Sequence, residues 1–170
     1  EKVNRQCPTF KTKEAIKMLL NTGFKVDGHF MPQLPGATML VDKEMFSQVL
    51  HDDELQIDQW KIYPCETTPW TIIKKWKEEG TYTPYSNDEL IELLVWLKPK
   101  VHPWIRLNRI VRDIPSQYIL GGIYNGNLRE IICSRMLVLG LKCRCIRCRE
   151  VKAYDIHKNN DGNNELELVI

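Results

Sequence analysis

Three cysteines stand in a CxCxxC spacing at Cys143, Cys145 and Cys148, and Lys142, Arg144, Arg147, Arg149 and Lys152 surround them. Thiols this close in a turning segment converge on one soft metal ion. Neighbouring cations lower thiol pKa values and favour the thiolate, the form that binds metal. Guanidinium groups outside such a knuckle also suit phosphate oxygens. The run therefore predicts a zinc site with an RNA-facing rim of Lys142, Arg144, Arg147 and Arg149. It supplies only three ligands. His102 and Cys133 are the candidates for a fourth, with His157 and Cys65 behind them, and a ligand from outside the chain would also complete the set. The competing readings are three buried cysteines in a basic turn, or one disulfide. No signal peptide or extracellular cysteine pattern is visible, which weighs against the disulfide.

A second set of polar residues alternates along segments that read as strands: Lys25, Asp27 and His29, then Lys61, then Arg106, Asn108 and Arg112. Alternation places Arg106 and Arg112 on one face and Arg109 on the other. Phosphate contacts suit these arginines, and a salt bridge from Arg112 to a neighbouring carboxylate is the ordinary alternative. Trp104, in the basic stretch Lys100-Val101-His102-Pro103-Trp104, is the best stacking surface for an unpaired base. Trp76 and Trp96 fall on apolar helix stripes and read as core.

Elements must hold these groups. The chain has 170 residues, 43% hydrophobic, with a net charge of +2, enough for one sizeable core and too little charge to announce a nucleic-acid binder by itself. Position matters more: residues 98–112 and 142–152 are basic, whereas Asp155, Asp161, Glu165 and Glu167 follow. No stretch is long enough to span a membrane, so a cytoplasmic protein is expected. Thr12 reads as the cap of a helix with Ala15, Ile16, Leu19 and Leu20 on one stripe, ending at Gly23. A strand with Phe24, Val26, Gly28 and Phe30 on its apolar face follows. A helix around Lys43 to Leu50 leads to a strand over Gln59 to Tyr63. Thr68 before Pro69 reads as the next helix start. Ser86 with Glu89 forms a capping box for a helix carrying Leu90, Ile91, Leu94 and Leu97. A third strand runs Trp104 to Asp113, with Ile105, Leu107, Arg109 and Val111 on its apolar face. Asn127 with Glu130 caps a last helix. The pattern is α/β with parallel strands. One polar and one apolar face per strand fits the wall of a barrel, open here for want of strands, with the polar face lining a ligand site; a partly exposed sheet is the alternative.

The runs Gly23-Phe24-Lys25-Val26-Asp27-Gly28-His29-Phe30-Met31-Pro32-Gln33-Leu34-Pro35-Gly36, Asp58-Gln59-Trp60-Lys61-Ile62-Tyr63-Pro64, Arg109-Ile110-Val111-Arg112-Asp113-Ile114-Pro115 and Asn127-Leu128-Arg129-Glu130, with the cysteine run, resemble the catalytic subunit of Elongator from about Asn4 to Val151. The resemblance implies the later part of a radical-SAM TIM-type barrel in residues 1–141, a cysteine-rich zinc linker in 142–152, and in 153–170 the first strand of an acetyltransferase domain. It implies a tRNA-modifying acyltransferase that forms 5-carboxymethyluridine at the anticodon wobble position. In that family a reduced 4Fe-4S cluster cleaves S-adenosylmethionine, and the resulting radical abstracts hydrogen from the acetyl group of acetyl-CoA. The carbon radical then adds to the uracil.

By the same resemblance His29, Gln33, Lys61 and Asn108 contact the cofactor, and Lys61 has a catalytic role beside the substrate. The metal set is Cys143, Cys145 and Cys148 with His102. Arg106, Arg109, Arg112 and Trp104 join the basic rim in holding tRNA. The departures are the cluster cysteines, which have no counterpart here because Cys7 and Cys65 are isolated, and most of the acetyltransferase domain. The chain by itself is therefore expected to be inactive, with homodimers or Elongator-type subunits as partners. The alternatives are a zinc-stapled tRNA- or protein-binding module without catalysis, and a purely structural zinc domain.

Overall fold

The computed structural model describes residues 3–111, 114–122 and 127–150. Three short strands, β1 (Asp27–Phe30), β2 (Gln59–Ile62) and β3 (Arg106–Arg109), form a parallel sheet in the order β1-β2-β3. Parallel neighbours require crossovers, and helices supply them: α2 (Met39–His51) joins β1 to β2, and α3 (Ile72–Glu78) with α4 (Asn87–Leu97) joins β2 to β3. Helix α1 (Thr9–Asn21) precedes the sheet; α5 (Leu128–Val138) and the single turn α6 (Ile146–Arg149) follow it. The sheet is the parallel α/β arrangement expected.

One face of the sheet carries the core. Trp60, Ile62, Ile105 and Leu107 have no exposed surface, and against them pack Phe46 of α2, Leu90, Leu93, Leu94 and Leu97 of α4, and Ile132 of α5. Each such side chain contributes about 1.5–3 kcal/mol through removal from water. Phe30, Phe46 and Trp60 meet with ring centroids 5.1–6.5 Å apart, so the centre of the core is aromatic. A Cβ at Gly28 would run into Ile57 Cδ1 and press on the Phe30 ring, so a larger residue there makes these side chains shift.

Helix starts were only partly legible. The capping box of Ser86 and Glu89 forms as expected, and Thr38 caps α2 by accepting from the Val41 amide at 3.3 Å. Three expectations are corrected. Helix α1 begins at Thr9 behind Pro8, not at Thr12, whose hydroxyl instead lies 3.8 Å from Cys7 Sγ. Helix α3 is capped by Thr71, because Trp70 adopts a left-handed backbone (φ 61°) that Thr68 and Pro69 only lead into. Asn127 stands at the cap of α5 but makes no side-chain cap bond. The α1 stripe also faces outward: Leu19 and Leu20 are exposed and only Ile16 touches the core. Phe24 lies before β1 and is exposed as well.

The largest correction concerns β3. Gln59 pairs with Arg106 and Trp60 with Leu107, but Lys61 pairs with Arg109, so Asn108 is an extra residue in a bulge. Past the bulge the alternation reverses. Ile110 joins Ile105 and Leu107 in the core, while exposed Arg109 falls in register with Lys61 on the polar face, the same face as Arg106.

Loops at the carboxyl ends of the strands are tied to one another. Thr67 and Gly121 bridge the segments following β2 and β3. After β1, the fully buried Gln33 has φ 65° and is held from three sides: its amide donates to Asp42 Oδ2 (2.8 Å), its side-chain Nε2 to the Tyr85 carbonyl (2.7 Å), and its carbonyl accepts from the Tyr82 hydroxyl (2.6 Å). The Tyr85 hydroxyl donates to the same Asp42 oxygen at 2.8 Å.

Candidate functional site: a polar strand face beside a thiol cluster

On the polar face, register lines up Asp27 with Gln59 and Arg106, and His29 with Lys61 and Arg109. Lys61 Nζ pairs with Asp27 Oδ2 at 2.7 Å. The hydrogen bond from this carboxylate raises the Lys61 pKa above its ordinary value, so the side chain is a fixed ammonium and not a base at neutral pH. Asn108, pushed out by the bulge, donates through Nδ2 to Asp27 Oδ2 at 3.4 Å and to Gln59 Oε1, and accepts from Arg106 Nε at 2.9 Å. Asp27 Oδ1 is buried and has no hydrogen-bond partner, which leaves one strong acceptor aimed into the polar face. His29 is exposed and meets Tyr63 edge-on, with centroids 5.4 Å apart.

These strands thus bring together His29, Lys61, Asn108, Arg106 and Arg109. They do not bring Gln33, whose expected cofactor contact is corrected: the residue is sealed inside the loop knot and works as scaffold. Arg112 lies outside the described residues.

The second site lies along the free edge of β3. The Ile146 amide donates to the Ile105 carbonyl at 3.0 Å, Arg147 donates to the Asn108 carbonyl, and Arg129 Nη2 donates to the Leu107 carbonyl at 2.8 Å. The Leu107 amide in turn bonds the Cys145 sulfur. The cysteine run therefore occupies the hydrogen-bonding edge where another strand would pair. Cys145 is fully buried in the core and Cys143 partly so.

All six cysteines are free, and the sulfurs of Cys143, Cys145 and Cys148 lie within 4.8 Å of one another. Three thiolates at Zn–S lengths of about 2.3 Å in a tetrahedron sit about 3.8 Å apart, so small rotations suffice to fit an ion. Hydrogen bonds from Cys143 and Cys148 lower the Cys145 pKa below the usual thiol range, and hydrogen bonds with Cys145 and Cys148 raise that of Cys143.

His102 is not part of this group. Its Nε2 is 2.8 Å from the Leu50 carbonyl and its ring stacks on Trp104, centroids 4.5 Å apart, which corrects its assignment as the fourth ligand. Cys133 lines the same cleft as Cys143 and Cys148, a space of about 770 Å³ also bounded by Arg106, Arg129, Lys142, Arg147 and Arg149. Cys65 is buried elsewhere beside Tyr82, and His157 lies outside the described residues. Of the rim, Arg144 and Lys142 are exposed, Arg106 is paired with Glu150, and Arg149 donates to the carbonyls of Arg144 (2.7 Å) and Pro103 (2.6 Å). Trp104 is 58% exposed beside them. Asp27, Gln59, Arg129 and Lys98 were missed as site residues. Lys98 carried a signal, since Leu90, Leu94 and Lys98 share the i, i+4, i+8 stripe of a buried helix face.

Residues 57–137 match the Radical_SAM C-terminal domain family. The chain is similar over most of its length to tRNA uridine(34) acetyltransferases and Elongator complex protein 3. It is 39% identical over 140 residues to a tRNA uridine(34) acetyltransferase of Methanocaldococcus jannaschii, covering 82% of this chain and 26% of the relative. Identity is 36% over 144 residues to Elongator complex protein 3 of Homo sapiens, covering 85% and 26%. The solved structure of Methanocaldococcus infernus Elp3 with an N-terminal deletion superposes with a TM-score of 0.82 at 37% identity, over 87% of this chain and 35% of that one. The chain thus spans about a quarter of the length of the curated relatives it matches.

Proposed function

We propose that this chain is the later part of a radical-SAM barrel in an enzyme that forms 5-carboxymethyluridine at the wobble position of tRNA, from S-adenosylmethionine and acetyl-CoA. The observation that carries the reading is the identity of 36–39% over 82–85% of the chain, together with the close superposition of the fold. A bound S-adenosylmethionine would supply the hydrogen-abstracting radical. This chain's share is to hold and orient. The unpartnered Asp27 Oδ1 suits the hydroxyls or amines of such a ligand, Asn108 fixes the carboxylate's other oxygen, and His29 offers a hydrogen bond at the mouth. Lys61, a fixed ammonium, acts by charge on a carboxylate or thioester oxygen and does not take up protons.

Cysteines outside the trio form no second cluster of ligands among the described residues. Zinc on Cys143, Cys145 and Cys148 would be a structural staple without redox chemistry. The cations around it, Lys142, Arg144, Arg147 and Arg149 with Arg106 and Arg109, take the tRNA backbone, and Trp104 stacks on a base. Residues 1–141, 142–152 and 153–170 are accordingly barrel, linker and the start of the acetyltransferase domain. The residues for acetyl-CoA, and any docking of a second copy or of Elongator-type subunits, belong to the larger enzyme. No described helix is long and apolar enough to cross a membrane, and a cytoplasmic setting follows from the tRNA substrate.

The test is a chimera. The matching quarter of the M. infernus relative is replaced by this chain, and nucleosides from treated tRNA are read by mass spectrometry. Carboxymethyluridine that vanishes on D27A in the chimera supports the assignment; a folded, cofactor-loaded chimera that makes none refutes it.

A further inference from the structure

Among the described residues Lys98 is the only fully buried cation. It closes the buried stripe of α4, where the helix carboxyl end favours a positive charge. Its Nζ donates to Cys148 Sγ at 3.6 Å and has no carboxylate partner among the described residues. An ammonium without water needs an anion, and a neutral thiol is a poor substitute. The other cations nearby are committed differently. Arg129 is 4.0 Å from the same sulfur but anchors on the Leu107 carbonyl, while Arg147 and Arg149 are exposed and bonded to carbonyls. Three thiolates on a divalent ion carry one net negative charge, and Lys98 supplies one buried positive charge.

We propose that Lys98 is the counter-charge of a three-thiolate metal centre, donating to Cys148 so that a divalent ion on Cys143, Cys145 and Cys148 is neutralised at the edge of the core. This rests on the metal-site reading above and adds to it a positioning residue outside the ligand set. Lys98 touches the ion only through sulfur, so its removal weakens binding without removing a ligand.

The test compares the full 170-residue chain with K98M, using Zn²⁺ and Co²⁺ alone as probes. Zinc affinity, read by chelator competition, falls roughly 10- to 100-fold in K98M. The metal-free variant melts at the parent temperature or above it, because an uncompensated buried charge has gone. In the Co²⁺ form the sulfur-to-cobalt charge-transfer band moves to longer wavelength, since the thiolate loses its N–H donor. A purely structural lysine would lower metal-free stability and leave the band in place. Should K98M fail to fold, K98Q keeps a donor but not the charge and is expected to lose affinity in the same way. A parent chain that binds both ions while the folded variant keeps its affinity and its band overturns the role of Lys98 alone. A parent that binds neither ion stoichiometrically overturns the metal site and Lys98 together.

Discussion

Replacing Asp42 by alanine tests how the loop after β1 is held at the carboxyl end of the sheet. Asp42 is 5% exposed, and one of its oxygens accepts from both the Gln33 amide and the Tyr85 hydroxyl, each at 2.8 Å. In D42A the Gln33 amide, in a fully buried residue, loses its acceptor, which costs about 1–3 kcal/mol. The half-buried Tyr85 hydroxyl loses a bond to a charged group of similar worth. Relief of the buried carboxylate offsets part of this, because burial raises the Asp42 pKa more than the two hydrogen bonds lower it. The net expectation is a loss of about 2–3 kcal/mol in urea denaturation. That corresponds to a fall in melting temperature of about 4–12 °C for a chain of this size.

The pH dependence carries a sign. A raised folded pKa means that the folded state holds the proton more tightly, so the Asp42 contribution is complete below the unfolded value and is lost as pH rises through the raised one. D42N has no such titration, and the stability difference between parent and D42N is therefore largest in acid and shrinks toward neutrality. In a double-mutant cycle, D42A and Y85F are coupled by about 0.5–3 kcal/mol. A D42A variant as stable as the parent, with no coupling to Y85F, would refute the argument that this knot holds the loop.

The bulge predicts opposite outcomes at adjacent positions: I110A costs about 2–4 kcal/mol as a core truncation, whereas R109A costs about 1 kcal/mol or less, both read by urea melts. Cys145→Ser removes a fully buried sulfur from the trio, so zinc measured by mass spectrometry falls from one per chain to a small fraction. If the basic rim holds a nucleic-acid backbone, replacing Arg144 and Lys142 together by alanine lowers the slope of log affinity against log salt for tRNA by roughly 1–2. An unchanged slope would remove both residues from the interface.

Much of this molecule was legible because hydrophobic spacing is written locally. The stripe of Leu90, Leu94 and Leu97, the Ser86–Glu89 box and the two-faced strands need only neighbours in sequence. What escaped was decided by distant backbone. Residues 105–108 alternate cleanly, and only the apolar Ile110 hinted that the phase slips after Asn108. His102 had the chemistry of a ligand, but the Leu50 carbonyl, 52 residues away in sequence, claims its nitrogen. Gln33 sat inside a recognisable motif, yet its left-handed backbone and three remote partners make it a fastener. Lys98 and Lys100 flank one proline and look alike on paper, while one is sealed in the core and the other lies exposed over the Trp96 ring.

The extra residue at Asn108 gives the third strand two reading frames. Before it, odd positions belong to the interior; after it, even ones do. Losing Asn108 would close the offset and not invert the strand: Ile105, Arg106, Leu107, Arg109 and Ile110 would alternate without a break, with Ile110 still inward and Arg109 still outward. What such a deletion removes is the side chain that links Asp27, Gln59 and Arg106, so the polar face loses its joint while the core keeps its pattern.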